Sequence, residues 1–117
     1  MRVEEFYLIS EGDYSDVMKR FIKEERILKY LNMFYKDNSM EEIRKALDEK
    51  DYEQAFRICH NLKGLCLNLA LKGYFDKINI LCEELRPRVY SPYIEVYYNE
   101  ADSKYRMVME NLKDLFE

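Results

Sequence analysis

The only histidine of this 117-residue chain, His60, lies in a segment that has the apolar spacing of a helix. Residues three and four positions apart are neighbours on a helix. The neighbours expected beside His60 are therefore Arg57, Lys63, Gly64 and Leu67. A neutral imidazole is a competent nucleophile near pH 7, because one of its ring nitrogens carries a free lone pair. The spacing predicts a nucleophilic histidine with a cation on either side.

Gly64 is the least ordinary residue of this segment. Glycine inside a helix costs about 1 kcal/mol relative to alanine. The helical pattern continues beyond Gly64, so the glycine is not expected to end the helix. We interpret it as a gap that lets another protein approach the His60 ring, while Lys63 neutralises an anion carried on that ring.

The segment resembles the histidine-containing phosphotransfer (HPt) family of two-component phosphorelays. The motif of that family places Leu, Lys and Gly at the second, third and fourth positions after the histidine, and Asn-Leu-Gly at the eighth to tenth. The matching positions after His60 are Leu62, Lys63, Gly64, Asn68 and Leu69. Ala70 stands where the family has its final glycine, so the sequence does not fix the residue at which the helix ends. The resemblance covers roughly residues 12 to 86.

The resemblance implies that the chain is a phosphocarrier. His60 would accept a phosphoryl group from the phospho-aspartate of a response-regulator receiver domain, or from a hybrid histidine kinase, and pass it to another receiver. Lys63 would neutralise charge and Gly64 would give the partner access. The supporting residues would be Arg57, Asn61, Leu67 and Asn68. No intrinsic cofactor is implied, because Mg²⁺ and the remaining catalytic groups would come from the receiver.

The chain is not expected to be an enzyme in its own right. Its only glycines are Gly12, Gly64 and Gly73, which do not form a glycine-rich loop for the phosphates of ATP. No carboxylate cluster that could hold Mg²⁺ lies near His60 in the sequence. Phosphorylation from ATP by this chain alone is therefore not expected.

Composition predicts one domain over residues 1–117 and a cytoplasmic monomer. Nineteen basic and 23 acidic residues give a net charge of −4, which disfavours a nucleic-acid partner. No apolar run approaches the roughly 18 residues of a membrane span, and the first residues lack the pattern of a signal peptide. Three cysteines without CxxC spacing fit a reducing compartment better than a disulfide framework.

Helical signals extend over almost the whole chain, and no convincing strand is found. The predicted helices lie near residues 13–22, 24–36, 39–49, 51–70, 73–86 and 92–116. Helix starts are predicted at Asp13, Ser39, Asp51 and Ser91. Residues 3–9 fit either a short strand or an extended arm. Short connections favour an all-α fold, an antiparallel four-helix bundle with additional short helices.

Two helices can be oriented from their apolar stripes. In the helix with His60, the predicted core stripe is Tyr52, Ala55, Cys59, Leu62, Cys66 and Leu69. His60 lies about 100° away from that stripe, so its ring is expected to be exposed. The final helix has a seven-residue repeat and buries Ile94, Tyr98, Ala101, Tyr105, Val108, Leu112 and Leu115. Its many tyrosines could instead leave an aromatic patch for a partner or a dimer.

Two other functions remain open on the sequence. The first is a helical protein-interaction module of HPt fold without phosphotransfer. The second is a metal-binding or enzymatic bundle, which the absence of a recognised ligand spacing disfavours. Exchange of phosphate with a receiver domain separates the first alternative from a phosphocarrier, and a metal assay tests the second.

Overall fold

The chain folds into helices alone, as the sequence predicts. The computed structural model describes residues 1–117 and contains seven α-helices and no strand. Their bounds are α1 Val3–Ile9, α2 Tyr14–Phe21, α3 Glu24–Tyr35, α4 Ser39–Asp48, α5 Tyr52–Asn68, α6 Lys72–Leu85 and α7 Tyr93–Phe116. No helix has both the length and the apolar character that crossing a membrane needs.

The N-terminal segment, left open as a strand or an arm, is helix α1. Its buried side chains are Val3, Phe6 and Tyr7. The Tyr7 hydroxyl donates a 2.8 Å hydrogen bond to the carbonyl of Leu69, at the end of α5. Near the end of α1, the Asn111 amide of α7 donates to the Ser10 hydroxyl at 3.0 Å. Helix α1 therefore depends on contacts with residues that lie far from it in sequence.

Two of the predicted helix starts carry the expected caps. The Asp13 carboxylate accepts a hydrogen bond from the backbone N–H of Asp16 at 2.9 Å and caps α2. The Asp51 carboxylate accepts from the backbone N–H of Gln54 at 3.1 Å and caps α5. Such a cap satisfies one of the N–H groups that a helix start leaves without an intrahelical partner.

The other two starts are displaced by one residue. Ser39 is the first residue of α4 and not its cap. Its backbone N–H donates a 3.0 Å hydrogen bond to the Asp37 carboxylate. Helix α7 begins at Tyr93, after Pro92 at the cap position. Its first N–H is satisfied by the Ser91 hydroxyl at 3.2 Å. Ser91 therefore satisfies the first N–H of α7, as predicted, but it lies one residue before the cap position.

Helix α5 ends two residues earlier than predicted, and Ala70 shows why. Ala70 has a φ of 54°, in the left-handed region, so the helix cannot include it. The backbone N–H of Leu71 bonds the carbonyl of Cys66, and that of Ala70 bonds the carbonyl of Leu67, both at 3.1 Å. This pair of bonds is the Schellman helix ending, in which glycine is favoured at the left-handed position.

The helices pack around one core of 29 buried residues. Helix α5 lies against α4 and α6, and α7 lies against α6, α1 and α3. Arg44 of α4 forms a bidentate ion pair with Glu95 of α7, at 2.6 and 2.8 Å. The Tyr98 hydroxyl donates to the Met40 carbonyl at 3.2 Å and joins the same two helices. His60 thus lies on a helix with neighbours on both sides.

Helix α7 follows its predicted repeat closely. The residues of the repeat that are buried are Ile94, Tyr98, Ala101, Val108 and Leu112, while Tyr105 and Leu115 are partly buried. Tyr90 and Tyr93, by contrast, are 69% and 58% exposed at the start of this region. The tyrosines thus divide between the core and the surface.

Candidate functional site

Helix α5 presents His60 on its exposed side. The buried residues of its stripe are Ala55, Cys59, Leu62, Cys66 and Leu69, as predicted, whereas Tyr52 is only partly buried. Phe56, which the predicted stripe omits, is also buried. His60 is exposed, in agreement with its expected position about 100° from Cys59. The ring is therefore accessible while its backbone belongs to a well-packed helix.

The His60 ring stacks on Phe56, one turn earlier on α5. The ring centroids are 5.7 Å apart and the planes are inclined by 24°. Two guanidinium groups also lie over the Phe56 ring: the Cζ of Arg88 is 4.3 Å from its centroid and that of Arg86 is 5.2 Å away. Sequence reasoning missed these three residues. Phe56 was hidden by its place beside the apolar stripe, and the arginines come from the end of α6 and the loop after it.

The cations around His60 differ in how they are paired. Arg57 is bound to Glu53 at 3.1 Å, and Arg88 is bound to the same carboxylate at 2.9 Å. Arg86 is bound to Glu83 at 2.9 Å. Lys63 is partly buried and forms no ion pair. Among the four cations of this cluster, Lys63 is thus the one whose charge is not committed to a carboxylate.

The cluster as a whole is electropositive on an acidic protein. The cluster has four cations but only two carboxylates, Glu53 and Glu83, and these pair with the three arginines and not with Lys63. The chain carries a net charge of −4, so the surplus is local to this face. An arrangement of this kind attracts an anionic partner and steers its approach.

A buried thiol lies beside the same cluster. Hydrogen bonding with Cys59 lowers the pKa of Cys82, and a contact with His60 and the charge of Lys63 act in the same direction, against burial. The Cys59 sulfur also lies 3.7 Å from the carbonyl oxygen of Ile78. All three cysteines are free and buried, as expected for small core side chains. No group of three His, Cys, Asp or Glu side chains is arranged to hold a metal ion.

Gly64 has open space where a side chain would be. A Cβ built on it would meet no atom within 4 Å, apart from its own helix backbone and chain neighbours. Gly12 is the opposite case, since a Cβ there would lie 2.5 Å from Cδ1 of Tyr7 and 3.2 Å from the carbonyl oxygen of Ala70. Packing inside the protein therefore explains Gly12 but does not explain Gly64.

An apolar groove continues the surface of α5 beyond Gly64. It has a volume of about 470 Å³. Its apolar lining is Phe21, Tyr30, Met33, Leu65 and Leu69. Of the predicted supporting residues, Asn68 also lines this groove, and Leu67 is 46% exposed on α5. Exposed apolar area of this kind is typical of a surface that binds another protein.

Of the remaining predicted residues, Arg57 shares the Glu53 carboxylate with Arg88, whereas Asn61 stands apart from the cluster. Asn61 is exposed and makes no side-chain hydrogen bond with the protein. The carboxylate bound to Arg57 directs that guanidinium towards the start of α5. The structure therefore brings His60, Lys63 and Gly64 together as an accessible unit, with Phe56, Arg86 and Arg88 beside it.

Comparison with protein-family models, with curated proteins and with solved structures finds no match to the chain. The residues of the site determine what chemistry it can perform. They provide an exposed imidazole at His60, a cation at Lys63 that forms no ion pair, and open space beside Gly64.

Proposed function

We propose that this chain is a histidine phosphotransfer protein of the HPt kind. His60 accepts a phosphoryl group from the phospho-aspartate of a receiver domain, or from a hybrid histidine kinase, and passes it to another receiver. The observation that carries the proposal is the juxtaposition of an exposed His60, an unpaired Lys63 and the open space at Gly64. It agrees with the motif that the sequence shares with the family.

The arrangement of the last four helices supports the corresponding fold. We propose that α4 to α7 form an antiparallel four-helix bundle, to which α1, α2 and α3 are added. Lys77 of α6 pairs with Glu100 of α7 at 3.6 Å, while Glu84, further along α6, accepts from Ser91, before α7. These two contacts have opposite sequence directions, as antiparallel helices require.

The chemistry assigned to this chain is limited to the nucleophile and part of the charge. A lone pair on one ring nitrogen of His60 attacks phosphorus, the bond from phosphorus to the aspartyl oxygen breaks, and the carboxylate leaves. Phosphoryl transfer depends mainly on positioning and on neutralising charge. Lys63 supplies one positive charge next to the ring. The receiver supplies Mg²⁺ and the remaining groups, so the chain acts as a carrier and not as an enzyme.

The surface around His60 suits a protein partner. The electropositive cluster lies on one side of Gly64, and the apolar groove with Leu65 and Asn68 lies on the other. Apolar area gives affinity, whereas complementary charge increases the association rate and selects the orientation. A receiver whose acidic phosphorylation site faces the cations would place its rim over Gly64.

The decisive experiment is transfer from phosphorylated receiver domains to purified protein. His60→Gln should fold normally and accept no phosphate, and the phosphate on wild-type protein should be acid-labile, as an N–P bond is. Asn99→Gln, an exposed substitution on α7, is the control and should transfer like wild type. Transfer at the wild-type rate in His60→Gln would refute the assignment. Receiver binding without transfer in the wild type would favour an interaction module of the same fold.

A further inference from the structure

The His60 ring, although exposed, lies against the ring of Phe56. An exposed side chain ordinarily samples several rotamers, which dilutes any one reactive geometry. His60 instead has a flat aromatic surface against it, with 5.7 Å between centroids and an angle of 24° between planes. Phe56 is 7% exposed and belongs to the core, so its own ring is held by packing. The buried Phe56 ring is therefore held in place by packing, and the exposed His60 ring lies against it.

The guanidinium of Arg88 also lies over the Phe56 ring and is itself bound to Glu53 of the same helix. Arg88 is bound to Glu53, which precedes Phe56 by three residues, whereas His60 follows Phe56 by four. Its Cζ lies 4.3 Å from the Phe56 centroid, within the range of a cation–π contact. A continuous series of contacts links Glu53 to Arg88 in the loop after α6, Arg88 to Phe56, and Phe56 to the His60 ring.

We propose that Phe56 is a positioning residue, which presents the His60 imidazole to solvent in one preferred orientation, and that Arg88 helps to hold Phe56 in place. The inference rests on the proposed function, because it concerns how a phosphoryl acceptor is presented. Neither residue contacts the reacting atoms, and both act through the ring that they support. The geometry itself is a property of the unphosphorylated protein and can be measured there.

The test compares two substitutions of Phe56 with a matched control. Phe56→Leu keeps an apolar side chain but removes the flat surface, whereas Phe56→Tyr retains the ring. Phe116→Leu removes an aromatic partner from a similar stack, at 5.9 Å and 27° with Tyr35, far from His60 in sequence. The probe is phosphoramidate, which can donate a phosphoryl group to histidine without a receiver domain. Circular dichroism and thermal melting establish that each variant is folded.

The first readout is the order of the His60 ring, from nuclear magnetic resonance of the unphosphorylated protein. The ring should be ordered in wild type, Phe56→Tyr and Phe116→Leu, and should average over rotamers in Phe56→Leu. The second is the phosphorylation rate, which should fall about tenfold in Phe56→Leu and recover in Phe56→Tyr. An Arg88→Gln variant should show a smaller change in the same direction.

Each outcome bears on the proposal. An ordered His60 ring and an unchanged phosphorylation rate in Phe56→Leu would overturn it. An equal loss of rate in Phe116→Leu would also overturn it, since the effect would then reflect general stability. If wild-type protein takes up no phosphate from phosphoramidate or from a receiver, the proposed function fails, while the ring-order measurement still decides whether Phe56 positions His60.

Discussion

At the scale of single residues, Lys63 is distinguished by the absence of a carboxylate partner. A lysine that stabilised the fold through an ion pair would be expected to have one, as Arg57 does with Glu53. We expect Lys63→Ala to slow phosphotransfer and to shorten the lifetime of phosphorylated His60. Its free energy of unfolding should stay within about 0.5 kcal/mol of wild type, the range typical of surface substitutions.

Arg57→Ala is the matched control for Lys63→Ala. Arg57 carries the same charge and also neighbours His60 on α5, but its guanidinium is already bound to Glu53. Transfer rates measured at low and moderate salt should therefore change less in Arg57→Ala than in Lys63→Ala. Equal rates for Lys63→Ala and wild type at both salt concentrations would make Lys63 an ordinary solvated charge.

The two glycines Gly64 and Gly12 are expected to respond in opposite ways to alanine. Gly64→Ala should stabilise the protein by about 0.5–1 kcal/mol, because the position is helical and nothing within 4 Å obstructs a methyl group. Gly12→Ala should destabilise it by about 1–3 kcal/mol, because the methyl would press on Tyr7 and on the carbonyl of Ala70. Melting temperatures of both variants test this pair of predictions.

The rate of phosphotransfer from a receiver should depend on the size of the residue at position 64. Gly64→Gln places a long side chain beside His60 and should lower the rate of transfer from a receiver without unfolding the helix. Phosphorylation by phosphoramidate, a small donor, should be affected much less. If Gly64→Gln transfers from a receiver as fast as wild type does, the glycine does not clear a docking surface.

At the scale of helices, the local sequence predicts the helices with a local N-terminal cap well, and it does not predict α1, which is held by residues far away in the sequence. Asp13 and Asp51 correctly predict the starts of α2 and α5, because their carboxylates accept hydrogen bonds from backbone N–H groups only three residues away. Helix α1 is joined by the Tyr7 hydroxyl to the carbonyl of Leu69, 62 residues away, and no local pattern reveals this contact. The sequence predicts α5 two residues too long, because Ala70 adopts a left-handed conformation that a glycine at this position would indicate.

The anchor of α1 can be tested by removing one oxygen atom. Tyr7→Phe keeps the buried ring but leaves the Leu69 carbonyl without its phenolic donor, which should cost about 1–3 kcal/mol of unfolding free energy. Tyr90→Phe, at a 69% exposed position without a hydrogen bond to the protein, should change it by less than about 0.5 kcal/mol. Urea unfolding measures both. Equal stability of the two variants would show that the Tyr7 bond contributes little.

At the scale of the whole molecule, the predictable part of the site is the part that one helix carries. His60, Lys63 and Gly64 share one face of α5, and helical periodicity is sufficient to group them. Arg86 and Arg88 follow His60 by 26 and 28 residues and reach Phe56 only through the packing of α6 on α5. Their contribution needs tertiary structure, and so does the pairing that leaves Lys63 as the uncommitted cation.

The buried tyrosines of this core make stability depend on alkaline pH. Burial raises the pKa of Tyr7 and of Tyr74 above the value of about 10 expected in the unfolded chain. A group whose pKa is raised by folding contributes stability that is complete below its unfolded pKa and is lost as the pH rises above it. The folded state should thus weaken above about pH 10, by up to about 1.4 kcal/mol per pH unit for each tyrosine.

Denaturant unfolding between pH 8 and pH 11, with tyrosinate absorbance recorded in parallel, measures this dependence. The buried tyrosines should ionise together with unfolding. Tyr7→Phe removes one of these linked groups, so its stability should fall less steeply above pH 10 than that of wild type. Parallel curves for the two proteins would mean that Tyr7 ionises without opening the core around α1.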